Sequence, residues 1–111
     1  MKTTQQLLYQ IGCQATKIGF KHLHLALDLS LSMDTFPYRG LTTCLYPEVA
    51  KQCKTTSSAI SRSIARTTED LWQHGNRALL EEIAGRKLPQ KPQPSELLYY
   101  LDAYCRERIK S

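Results

Sequence analysis

No apolar run in this chain approaches the roughly 20 positions that a membrane-spanning helix needs. The longest, Leu23 to Leu31, is broken by His24, Asp28 and Ser30. The opening residues, MKTTQQLLYQ, lack the apolar centre of a secretory signal. A cytoplasmic protein with no membrane partner is therefore expected. The four cysteines, Cys13, Cys44, Cys53 and Cys105, lie 31, 9 and 52 residues apart and form no C-x-x-C pair. Structural zinc sites need ligands closely paired in sequence, and disulfides belong to oxidising compartments. Reduced, partly buried thiols and no metal site are the expectation. His22 and His24 stand two apart on a predicted helix, so they point in different directions. Catalytic signatures are missing as well: there is no Gly-rich phosphate loop, no H-E-x-x-H and no G-x-S-x-G. That absence predicts a protein that is not an enzyme and carries no cofactor. No repeat, low-complexity tract or sustained apolar/polar alternation is present, so strands are not expected.

The 111 residues present fit one domain, 1–111, with a modest core, and 41% hydrophobic content argues against general disorder. The net charge is +5, and its distribution says more than its sum. Residues 39–66 carry Arg39, Lys51, Lys54, Arg62 and Arg66 against Glu48 alone, for +4. Residues 67–85 carry −3, and residues 86–111 carry +3. A phosphate backbone is attracted to such a pattern, with affinity falling steeply as salt rises.

Apolar spacing predicts an all-α bundle of about six helices. The first runs from about Thr4 to Gly12, with Leu7, Leu8 and Ile11 on one face. The second, from about Gly19 to Met33, carries Phe20, Leu23, Leu27 and Leu31, widened by Ala26 and Leu29. A loop with Pro37 and Gly40 follows. The third is short, about Tyr46 to Cys53, with Pro47 in its first turn and Glu48 at the positive end of its dipole. The fourth, from Ser57 or Ser58 to His74, is capped by Thr56 or Ser57. It turns Ile60, Ile64, Thr67 or Thr68, and Leu71 inward. Gly75-Asn76 stops it, and a fifth helix runs from Arg77 to Ala84. Three prolines in KLPQKPQP make a connector. A sixth helix opens at Ser95-Glu96 and carries Leu97, Leu101, Tyr104, Cys105 and Ile109.

The segment 45–74 is the most informative. Two helices flank Lys54-Thr55-Thr56-Ser57-Ser58, which is too polar and too rich in capping residues to continue one helix. Ala50 is small where two helices cross, and Ile60 anchors the second. This is the pattern of a helix-turn-helix. Arg62 and Arg66 are four apart and share a face. An arginine in a major groove can bond both acceptors of one guanine. Ser58 and Ser61 reach a phosphate or a base edge, and the free amides of Thr56, Ser57, Ser58 and Ala59 suit a phosphate. Lys51 and Lys54 are expected on the DNA backbone, where they position without reading sequence. Trp72 is expected in the core, and Tyr99, Tyr100 and Tyr104 in packing or self-association.

The chain resembles the C-terminal DNA-binding domain of the stage zero sporulation protein A family of response regulators. The resemblance runs from about Leu7 to Ile109. Its elements are Ile11-Gly12, GFKHL at Gly19 to Leu23, LYPEVAK at Leu45 to Lys51, Thr55-Thr56, W-x-x-GN at Trp72 to Asn76, and KPQPSE at Lys91 to Glu96. It implies an all-helical domain with a recognition helix at 57–74 and binding to short promoter boxes, often as tandem head-to-tail copies. It implies that Arg62 reads the box, that Ser58 meets the backbone, and that Arg66 contacts the backbone where the family often has His. The chain departs from the family on the reading face, with Ala59, Ser61 and Ala65 where Arg, Glu and Arg are usual. Those losses remove base-reading and phosphate-contacting groups but leave the core pattern intact.

No receiver domain or phosphoacceptor cluster is expected among these 111 residues, so an excised effector domain or a free-standing relative is expected. The function expected is sequence-specific transcription regulation on double-stranded DNA. A homodimer or tandem copies and RNA polymerase are further expected partners. The alternative is a protein-interaction module on the same fold, with Ala59 and Ala65 smoothing the face of the fourth helix.

Overall fold

The structure, a computed structural model, describes residues 2–12, 17–37 and 39–110. Six α-helices form, and no strand is present among the described residues. They are α1 (Lys2–Gln10), α2 (Ile18–Leu31), α3 (Tyr46–Cys53), α4 (Ser57–His74), α5 (Arg77–Ala84) and α6 (Pro94–Lys110). The expected bundle is therefore present, with α3, α4 and α5 at the expected bounds. Cys13, and the side chain of Ile109, lie outside what is described.

The ends of the helices follow local chemistry. Thr56, in extended conformation, accepts a hydrogen bond from the Ala59 amide at 3.1 Å and so caps α4. Asn76 caps α5 in the same way through Leu79 at 3.1 Å. Glu96 reaches back to the Gln93 amide at 2.8 Å and holds the start of α6. Two expected ends move. α1 stops at Gln10 rather than Gly12, and Gly12 sits at φ 109°, outside any helix. α2 stops at Leu31, two residues before Met33. One turn of π-helix, Leu41–Leu45, leads directly into α3, in a stretch where no element was expected.

α2 is the central element and touches α1, α3, α4 and α6. Phe20, Leu23, Ala26 and Leu27 bury against those neighbours, whereas Leu29 and Leu31 are only partly buried. Ile60 and Ile64 of α4 are fully buried, contributing about 1.5–3 kcal/mol each. Thr68, not Thr67, completes that stripe with Leu71. Leu97, Leu98, Leu101 and Cys105 of α6 close the far side. Cys105 is a free thiol whose pKa burial pushes up to about 11, so it is unreactive packing. Cys53 is half-buried, but Cys44 is exposed on the π-helical turn, where a partly buried thiol was expected.

Two close approaches fix how α4 lies. A Cβ on Gly19 of α2 would stand 2.1 Å from Thr67 Oγ1, so a larger residue there would force the Thr67 side chain to shift. At the other end, the backbones of Gly12 and Gly75 are in contact, and the Asn76 amide donates to the Ile11 carbonyl at 3.0 Å. The separated sequence pieces Ile11-Gly12 and W-x-x-GN are thus one joint.

Candidate nucleic-acid interface

The helix-turn-helix is built from α3, a tight break and α4. Lys54 ends α3 in left-handed conformation, φ 56° and ψ 47°. The Thr55 amide then bonds back to the Ala50 carbonyl at 2.9 Å and the Lys54 amide to the Lys51 carbonyl at 3.3 Å, closing the last turn of α3. Val49 and Ala50 are buried, and α3 packs directly on α4. The small Ala50 side chain permits that contact.

The fold places the expected reading residues as follows. Ser58, Ser61, Arg62 and Arg66 are exposed on α4, together with Ala65. Lys51, Lys54 and Thr56 are exposed at the end of α3 and in the break, while Ser57 is half-buried. Ala59 is also half-buried, to one side of the exposed stripe. The Ala59 amide, expected to be free for a phosphate, is occupied by the Thr56 hydroxyl. The helix start retains the amides of Ser57 and Ser58, which have no acceptor within the helix.

Electrostatics leaves the arginines available. Among the described residues, no carboxylate lies within ion-pair distance of Arg62, Arg66, Lys51 or Lys54. The acids of α4 are turned elsewhere. Glu69 takes Lys91 Nζ at 2.6 Å, and that contact, aided by Gln73, holds its carboxyl below the usual pKa. Asp70 pairs with Lys17 at 3.6 Å.

Several supporting contacts carried no clear signal in the sequence. His22 Nδ1 and Ser63 Oγ are 2.7 Å apart, pinning α4 to α2 at a buried ring. Burial, with the charge of Lys21, lowers the His22 pKa. His24 points the other way, to Thr4 Oγ1 of α1 at 3.1 Å, as their spacing implied. Trp72 packs on the core, and the Arg77 guanidinium covers its ring at 3.5 Å, so it is no platform for bases. Tyr99, Tyr100 and Tyr104 are half-buried against the core.

Comparison with known families matches residues 4–104 to the one described as Sporulation initiation factor Spo0A C terminal. That family is a DNA-binding domain of a sporulation regulator and not an enzyme family. Among the described residues, no helix is long and apolar enough to cross a membrane. The match takes in the whole helix-turn-helix and reaches into both terminal helices, and by it the chain belongs to the Spo0A C-terminal family.

Proposed function

We propose that the chain regulates transcription in the cytoplasm by reading a short promoter box in double-stranded DNA, with α4 in the major groove. Arg62 bonds a guanine edge, and Ser61 reaches a base or the adjacent phosphate. Arg66 and Ser58 meet the backbone. Lys51 and Lys54 hold phosphates across the break, and the start of α4 at Thr56, Ser57 and Ser58 receives another. The helix-turn-helix of residues 45–74 is the reading unit. One observation carries this proposal: Arg62 is exposed on the helix-turn-helix face, with no carboxylate of the described residues within reach. A guanidinium locked by a neighbouring acid would have to break that pair before reading a base. The loss of arginine side chains at Ala59 and Ala65 leaves fewer contacts, so a shorter or weaker box is expected.

Selection of bound sequences from a random duplex pool tests the proposal. Enrichment of one short box containing an essential guanine is the expected result. Recovery of a pool indistinguishable from the input would overturn it.

A further inference from the structure

A groove of about 660 Å³ runs between the start of α2 and the flank of α4. Pockets that hold small ligands occupy roughly 300–1,000 Å³. Lys17 and Ile18 line it from the start of α2, and Ala59, Arg62 and Arg66 from α4. The charges of the groove do not balance. Asp70 is the one carboxylate in its lining, and Lys17 already faces it at 3.6 Å. Two guanidiniums on residues one turn apart are left over, and a single guanidinium fork takes a carboxylate through paired N–H bonds.

The rest of the groove has few polar groups to offer. The Ser63 hydroxyl is engaged with His22 at 2.7 Å, and the Thr67 hydroxyl donates to the Ser63 carbonyl at 2.9 Å. Beside them, Ile18 is 63% exposed, one of two large hydrophobic side chains left so among the described residues. A cationic lining next to an uncovered apolar side chain suits a ligand with an acid at one end and an apolar body at the other.

We propose that this groove binds a small apolar carboxylate, its acid on Arg62 and Arg66 and its body against Ile18 and Ala59. Both arginines belong to the face proposed to read DNA, so the ligand and the duplex exclude one another. That exclusion rests on the proposed function, whereas binding itself does not.

The probe is 2-naphthoate, titrated into the full chain and followed by backbone amide shifts. Acetate supplies the charge without the body, and 2-naphthamide the body without the charge. The expected result is saturable shifts confined to the groove, with 2-naphthoate binding at least about ten-fold tighter than either control. Ile18→Glu should weaken it by a similar factor, because it sets a negative charge in the lining, while thermal unfolding is unchanged. Equal binding of all three compounds, shifts spread over the surface, or an unaffected Ile18→Glu variant would overturn the site. A second arm adds 2-naphthoate to a complex with duplex at low salt. Displacement supports the exclusion, and simultaneous binding overturns it. Saturable binding by a chain that takes up no duplex supports the groove and contradicts the DNA reading alone.

Discussion

Lys54 carries two burdens at one position. It is the one residue other than glycine at positive φ among those described, and it is exposed where the helix-turn-helix bends. A side chain in the left-handed region costs roughly 1–2 kcal/mol. Lys54→Gly removes that cost together with one cation. The expected outcome is an unfolding midpoint equal to or above that of the parent. The slope of log affinity for duplex against log salt should shrink by about 0.9, the value of one phosphate contact. An unchanged slope would take Lys54 out of the footprint. His22 makes a different kind of statement. Its folded pKa lies below its ordinary 6.5, chiefly because burial penalises the charged ring. The unfolded chain therefore gains a proton first as pH falls. The stability contributed by the neutral ring is complete above about pH 6.5 and is lost as pH drops toward the folded value. Urea unfolding between pH 7.5 and 5 should show that decline, and His22→Gln should flatten it. A decline untouched by the substitution would belong to other groups.

Elements divide by how far apart their determinants lie. The bounds of α3, α4 and α5 were legible because their punctuation is local. Pro47 opens one helix, Thr56 caps the next, and Gly75-Asn76 separates the last two. The link between α2 and α6 was not legible, because it joins residues about 72 positions apart. By charge alone Asp102 is one more acid among residues 86–111, yet it is buried at 1% exposure. Ser30 Oγ donates to it at 2.7 Å and Arg106 Nε at 2.6 Å. The same guanidinium donates to the Ser30 and Asp34 carbonyls at 2.6 and 3.1 Å, closing the end of α2. Removing one partner of a buried pair strands the other charge. Arg106→Ala is accordingly expected to lower unfolding free energy by about 3–5 kcal/mol. A loss below about 1 kcal/mol would place the pair in the class of solvent-screened surface pairs. The π-helical turn at Leu41–Leu45 escaped for the opposite reason: LTTCL carries neither a helical stripe nor a stop signal.

Over the whole molecule, the chain sets which charges are free by pairing the others. Local spacing put Glu69 and Asp70 within a turn of Arg66, where an intrahelical pair was equally compatible with the sequence. Tertiary structure instead sends Glu69 to Lys91, before α6, and Asp70 to Lys17, before α2. The exposure of Ser58, Ser61, Arg62 and Arg66 was thus visible in the sequence, but the freedom of the two arginines from carboxylates was not. Asp70 remains the negative charge nearest the arginines in their shared groove. Asp70→Asn should raise affinity for any duplex roughly two- to five-fold at low salt, an effect of about 0.4–1 kcal/mol that fades as salt rises. No change at low salt would mean that Asp70 does not face the bound backbone.

The exposed face of α4 is tested most directly by comparing the parent with Arg62→Ala on two duplexes at one salt concentration. One duplex carries the box recovered by selection, and the other carries the same bases scrambled. One paired arginine–guanine contact accounts for about 1–3 kcal/mol of discrimination. The selected duplex should therefore lose roughly 5- to 150-fold in affinity, and the scrambled duplex no more than about two- to three-fold. Equal losses on both would reduce Arg62 to a backbone contact and contradict its assignment as the residue that reads sequence.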